Sequence, residues 1–204
     1  MPPAGGLEDA MRIHGWYKRA AALGLLILLA GCASLKPQTD AGKLVPPPGQ
    51  GYAVLAFTLN SLQPDTGDAN LVFSGAGIGG NLYASENTDY IRAPGKVPDD
   101  KGRLTFAALP PGDYTITHVY GYWGMPDTLG QAGMRNVISL PRQDRFSIRA
   151  GEVVYLGDFH LNMNFQPDVV LSNQQARDFN HMQVMWGVSD FSNVQVQLLN
   201  PGSK

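Results

Sequence analysis

Hydrophobic and polar residues alternate with a period of two over much of the chain after residue 50. Leu55, Phe57 and Leu59 share one face of the run at 53–59. Leu104 and Phe106 alternate with polar neighbours, and Phe146 and Ile148 alternate with Arg145, Ser147 and Arg149. Tyr114, Ile116, His118 and Tyr120 fall on one side of the next run. Successive side chains of a strand point to opposite faces, so this alternation predicts half-buried strands. Stretches 71–73 and 81–84 are shorter strand candidates around a glycine-rich turn. Residues 152–161 carry few polar positions and predict a longer, more buried strand. Val194, Val196 and Leu198 alternate with Gln195 and Gln197 near the end.

Turn chemistry separates these runs. Pro64-Asp65-Thr66-Gly67, residues 98–102, Pro110-Pro111-Gly112-Asp113 and Ala150-Gly151 supply fixed φ at proline and positive φ at glycine. Helix is scarce: Asn173 caps one candidate near 173–182. The pattern predicts an all-β fold over residues 51–204. The expected form is a single antiparallel β-sandwich of about seven to nine strands, transthyretin-like or immunoglobulin-like.

The N-terminal pattern differs. Arg12, Lys18 and Arg19 precede an uncharged run at 20–30, 11 residues long. A spanning helix needs about 20 residues, and the apolar core of a secretory signal about 7–15. The run ends in Leu29-Ala30-Gly31-Cys32, which contains the sole cysteine of the chain. This resembles the lipobox of bacterial lipoproteins. The resemblance implies cleavage between Gly31 and Cys32, then acylation of Cys32, with palmitate among the chains. Two or three acyl chains, at about 0.8 kcal/mol per buried CH₂, anchor stably where one is marginal. Ala33 and Ser34 follow the cysteine. In the lipoprotein family an Asp there retains the protein in the inner membrane, so the resemblance implies the outer membrane, facing the periplasm. Glu8 and Asp9 are unusual for a signal, and a start at Met11 gives a 21-residue signal of more ordinary length. Residues 33–50 lack periodicity and include Pro46, Pro47 and Pro48, which predicts an extended tether after the lipidated N-terminus. The expected organisation is a signal peptide at 1–31, a lipidated tether at 32–50 and a sandwich domain at 51–204.

Composition narrows the function classes. The net charge is −2 and only 16% of residues are charged, which argues against a nucleic-acid partner. One cysteine excludes an intramolecular disulfide and any multi-cysteine metal site.

Residues 103–117, RLTFAALPPGDYTIT, resemble the signature of carboxypeptidase regulatory-like domains. There a strand leads through the corner Leu109-Pro110-Pro111-Gly112-Asp113 into the next strand at Tyr114. The resemblance implies a transthyretin-like sandwich with no catalytic residues of its own. Residues 146–155 look like a hairpin found in envelope lipoproteins.

Candidate chemistry is sparse. Gly75, Gly77 and Gly80 spell G-x-G-x-x-G, yet the next residues read as a strand, so a hairpin is expected and no nucleotide. His118 and His160, facing each other from two strands, would make only part of a metal site, and Asp158 shares a strand face with His160. His181 is the third histidine after the signal. Asp99-Asp100 lacks the spacing of a calcium loop. No Gly-x-Ser-x-Gly elbow is present, and Glu86 and Glu152 are the only glutamates after the signal. Tyr120, Tyr122 and Trp123, interleaved with glycine, form the candidate partner-contact loop. Residues 182–186 read as core or as a helix-to-strand transition. No catalytic residue, metal or cofactor is assigned. The expectation is a non-enzymatic outer-membrane lipoprotein, held in the bilayer through Cys32, whose sandwich meets another envelope protein. The competing reading is a carbohydrate-binding or hydrolytic envelope protein.

Overall fold

The computed structural model describes residues 36–95, 97–124 and 135–199. A compact unit begins at Pro37. Among the described residues its strands are β1 (Thr39–Asp40), β2 (Lys43–Leu44), β3 (Gly51–Ser61), β4 (Asp68–Gly75), β5 (Ile78–Ser85), β6 (Tyr90–Ile91), β7 (Asp100–Leu109), β8 (Gly112–Gly124), β9 (Arg135–Ile148), β10 (Val153–Met163), β11 (Asp168–Ser172) and β12 (Val194–Val196). A single α-helix is described there, α1 (Gln175–His181), and a π-helical turn at Met182–Trp186 continues it.

The long strands make a sandwich. One sheet has four strands in the order β5-β4-β8-β9. The other has six, in the order β11-β10-β3-β7-β6, with β12 also on β10. Between the sheets lie Leu55, Phe57 and Leu59 of β3, Leu71 and Phe73 of β4, Tyr114 and Ile116 of β8, Phe146 and Ile148 of β9, and Phe159 and Leu161 of β10. The expected inward faces of β3 and β9 are therefore real, and the all-β sandwich stands, whereas Leu104 and Phe106 of β7 lie on the second face of the six-stranded sheet.

The pairing is antiparallel except at β10, which runs parallel to both β3 and β12. The expected hairpin at 146–155 is instead an arch. β9 pairs with β8, whereas β10 joins the other sheet beside β3. Gly151 N–H donates to Gln50 O at 2.8 Å, and Tyr52 N–H to Glu152 O at 2.8 Å. The arch thus delivers β10 at the end of the sheet where β3 starts, and the two strands run the same way.

The six-stranded sheet is buried on both faces. Its second face carries Tyr52, Val54, Ala56, Leu104, Val153 and Tyr155. Met182, Trp186 and Val188 cover it from the C-terminal side, and Leu44 from the N-terminal side. That double burial explains why β3 and β10 read as nearly continuous apolar runs. Within 182–186, Met182 and Trp186 are core as one of the two expectations held, while Gln183 and Val184 are exposed. Asn173 Oδ1 accepts the Gln175 N–H at 3.1 Å, although Gln174 is the boundary residue of α1.

Residues 37–50 pack on the domain, where a tether was expected. β1 and β2 form a small hairpin and Leu44 is fully buried. Gly42 O accepts Ser189 N–H at 2.9 Å, and Tyr52 Oη accepts Gln38 N–H at 3.2 Å.

Two bulges reset which side chains face inward. In β8 the register shifts between Ile116 and His118. Tyr114 and Ile116 point into the sandwich, then Val119 does, so His118 and Tyr120 lie on the opposite side from the one their alternation predicts. In β10 the shift falls between Tyr155 and Asp158, at Gly157 with φ +92°. Val154 and Leu156 face the sandwich before it, Phe159 and Leu161 after it. Asp158 and His160 are thereby turned onto the second face.

A side chain at Gly157 has no room: a Cβ would stand 2.7 Å from Ser172 O, at a φ that L-residues disfavour. Gly157→Ala is expected to cost about 2–4 kcal/mol in urea unfolding. Gly77→Ala also has positive φ (+76°) but meets nothing within 4 Å, and is expected to cost only about 1 kcal/mol.

Candidate functional site

Beyond the bulge, the second face of the six-stranded sheet turns polar. Thr58 and Asn60 of β3 lie beside His160 and Asn162 of β10 in the parallel register. On the other edge of β10, Val170 stands opposite His160 and Ser172 opposite Asp158. Asp99, Asp100 and Lys101, at the start of β7, form one wall of the resulting cleft. Gln174 and Arg177, at the start of α1, form another. Its volume is about 550 Å³.

Hydrogen bonds fix the floor. Thr58 Oγ1 donates to Asp158 Oδ1 at 2.8 Å. Thr58 Oγ1 also lies 2.9 Å from His160 Nδ1, where the direction of the bond follows the ring tautomer. His160 Nε2 engages Asn60 Oδ1 at 2.8 Å, and Asn60 Nδ2 reaches Asn162 Oδ1 at 3.4 Å. Asn162 Oδ1 also accepts Asn164 N–H at 3.2 Å. Thr58 is only 2% exposed. Thr58, His160, Asn60 and Asn162 thus form one hydrogen-bonded row.

Arg177 closes the deep end. Its Nε donates to Asp178 Oδ1 at 2.8 Å and its Nη1 to Asp100 Oδ2 at 2.7 Å. Nη2 lies 3.5 Å from Asp158 Oδ1 and has no hydrogen-bond partner. The Tyr155 hydroxyl donates to the other oxygen of Asp178. Asp178 is fully buried and Asp158 nearly so. Burial pushes both carboxyls above their ordinary value, and Arg177 opposes that push. Burial likewise pushes the Tyr155 phenol up, with Asp178 adding to it. Asp158 beside His160 was visible in the sequence as a shared strand face. Arg177, Asp178 and Tyr155 were not, and their only trace there is a charged pair inside a short helix that must dock on an apolar strand.

His181, at the end of α1, is buried behind this cluster. Its Nδ1 accepts the Arg92 N–H at 2.9 Å. Burial pushes its pKa down to about 4, outweighing the carboxylate of Asp99.

The other candidates fall elsewhere. Gly31 and Cys32 lie outside the described residues, as does Met125. Tyr120, Tyr122 and Trp123 belong to strand β8 and not to a loop. Trp123 packs against the core between the sheets. Tyr120 stacks on His118, with ring centroids 5.7 Å apart. His118 is on the four-stranded sheet and His160 on the second face of the other, so the two do not face each other. Among the described residues, no group of three His, Cys, Asp or Glu is placed to hold a metal ion. Asp99 accepts Ala93 N–H at 2.9 Å. Gly75, Gly77 and Gly80 sit in the β4–β5 hairpin, whose turn residues Ala76 and Gly77 both have positive φ, as a type I′ turn requires. Glu86 is buried and accepts from Ser61 Oγ at 2.5 Å and Gly67 N–H at 3.1 Å.

No family model matches the chain, and no curated protein matches its sequence. Among solved structures, the chain is similar to a leucine-rich repeat protein from Bacteroides thetaiotaomicron. The identity is 10% and the TM-score 0.32, over 62% of this chain and 15% of that one. So slight a likeness assigns neither fold nor function.

Arg177→Met leaves Asp158 and Asp178 buried without their cation. It is expected to cost roughly 3–5 kcal/mol in urea unfolding, against about 1–2 kcal/mol for Tyr155→Phe. For His181 the sign follows from its lowered pKa. The unfolded chain takes up a proton near pH 6.5 and the folded chain only near 4, so stability present above pH 6.5 is lost as pH falls toward 4. Asp158 and Asp178, shifted up, act in the opposite sense. In melting curves recorded between pH 7 and 4, His181→Asn is expected to lose less Tm on acidification than the parent. An equal or larger loss contradicts the assignment.

Proposed function

We propose that this chain is the precursor of a bacterial outer-membrane lipoprotein that serves as a non-enzymatic interaction or structural module of the cell envelope. The observation that carries the reading is the N-terminal order: Arg12, Lys18 and Arg19, then 11 uncharged residues, then Leu29-Ala30-Gly31 before the sole cysteine, Cys32. Residues 1–31 are removed and Cys32 is acylated. Ala33 and Ser34 direct the product to the outer membrane, where its domain faces the periplasm.

The start of the compact unit at Pro37 sharpens this picture. Five chain steps from Cys32 reach at most about 18 Å. The domain is therefore held close to the bilayer, and the prolines at 46–48 do not act as a long spacer.

Partner contact is best supported on the outer face of the four-stranded sheet. Tyr120 and Tyr122 stand there, with Val137 of β9 directly opposite Tyr122 and 61% exposed. β9 is also an edge strand of that sheet, which suits strand addition by another envelope protein. Trp123, packed inward, supports this face from behind and does not contact the partner.

The test is mass spectrometry of the mature N-terminus, with membrane fractionation of the parent and of Cys32→Ser. The parent is expected to begin at an acylated Cys32 and to sediment with membranes. Cys32→Ser is expected to lose the acyl masses and the membrane fraction while keeping its circular dichroism spectrum. An unmodified chain that begins at another residue overturns the reading.

A further inference from the structure

We infer that the cleft above Thr58, Asn60 and His160 is a binding site for a neutral saccharide. The inference goes beyond the anchoring reading and does not depend on it, because every lining residue belongs to the compact unit.

Size and order come first. A volume of about 550 Å³ falls within the range of small-molecule sites. The floor is set before any ligand arrives, since Thr58, His160, Asn60 and Asn162 already hold one another by hydrogen bonds. A ligand that docks there does not have to freeze these side chains, which lowers the cost of binding.

Charge decides the ligand class. The cleft is lined by ions of both signs, and most are already paired inside the protein. Lys101 holds Asp65 at 2.7 Å. Asp99 holds Arg92 at 3.5 Å, and Arg177 holds Asp100 and Asp178 at 2.7 and 2.8 Å. A phosphate, a carboxylate or an ammonium ion would have to compete with these pairs, of which Arg177 with Asp178 is buried and the others are partly exposed. A molecule with hydroxyls and no net charge has no such competition. Each hydroxyl both donates and accepts, matching the side-chain amides of Asn60 and Gln174 and the Ser172 hydroxyl on the wall.

Arg177 stands at the deep end of the cleft, with its Nη2 sealed from solvent 3.5 Å from Asp158 Oδ1, so the ion cluster is a fixed wall and not a ligand contact. Val170, 49% exposed on the opposite wall, offers an apolar surface to the C–H face of a sugar ring. Among the described residues, no Phe, Tyr or Trp ring lines the cleft. Stacking therefore adds nothing, and affinity should be weak, on the order of millimolar.

The experiment is a titration of the full chain, isotope-labelled and held in a sugar-free detergent, followed by NMR. The probes are chitotriose, cellotriose and maltotriose, with glycylglycine and inorganic phosphate as the charged comparison. At least one trisaccharide is expected to shift the side-chain amide signals of Asn60 and Gln174, and to saturate. Asn60→Ala and Gln174→Ala are each expected to weaken that binding by about tenfold or more, with the circular dichroism spectrum unchanged. Should Asn60→Ala not fold, the exposed rim residue Gln174 still gives the answer. Four outcomes overturn the inference: no trisaccharide shifts these signals at about 10 mM; only glycylglycine or phosphate does; the shifts fall on the Tyr120–Tyr122 face; or the variants that fold bind as the parent does. The readout is the same whether or not Cys32 carries acyl chains, so a failed anchor and a failed cleft are separate results.

Discussion

Arg177 joins parts of the chain that have no other reason to meet. Its guanidinium reaches Asp100 at the start of β7, Asp158 in β10 and Asp178 beside it on the helix. The helix it belongs to has seven residues, far too few to persist alone. Packing of Phe179 and Met182 on the second face of the six-stranded sheet supplies the adhesion, but apolar contact is non-directional and fixes no register. The ion cluster fixes it. A buried cation among carboxylates contributes little net stability against an apolar substitute, while leaving one partner unmatched is costly. The cluster thus tolerates one placement of the helix. That placement closes the cleft wall, shields His181 and seats Trp186 on Phe106.

How much of this was legible in the sequence depends on how many faces each strand buries. β9 has one buried face, and its alternation of Phe146 and Ile148 with arginine and serine could be read without ambiguity. β3 and β10 are covered on both sides, so Val54 and Ala56 are as buried as Leu55 and Phe57. Alternation shows only half of such a strand. The bulges are invisible for a related reason. Nothing in the letters between Ile116 and His118 reports an extra residue, yet it moves His118 and Tyr120 to the other side of the sheet. Gly157 is a partial exception, since a glycine inside an apolar strand is a known mark of a bulge.

Long-range partners account for what remained hidden at the candidate site. Asp158 and His160 could be placed on one face from their spacing alone. That Thr58 lies between them depends on β10 running parallel to β3 across 102 residues of sequence, and a hairpin reading of the Ala150-Gly151 turn excludes that pairing. The aromatic cluster after Tyr114 failed for a local reason. Glycines at 121 and 124 suggested a loop, whereas Gly121 sits where a Cβ would strike the Met163 sulfur at 2.4 Å. The glycine serves close packing between the sheets, and the strand continues through it.

The placement of the cleft gives the anchoring proposal a direction. Gln38, close to the start of the compact unit, meets Tyr52 near the beginning of β3. Thr58 and Asn60 lie further along the same strand, about 20 Å or more from Tyr52 at roughly 3.3 Å per residue. On the proposed reading, the lipid at Cys32 joins the chain on the side of the first end. The hairpin at 39–44, with Leu44 sealed into the second core, is what makes residues 37–50 part of the compact unit and not a tether.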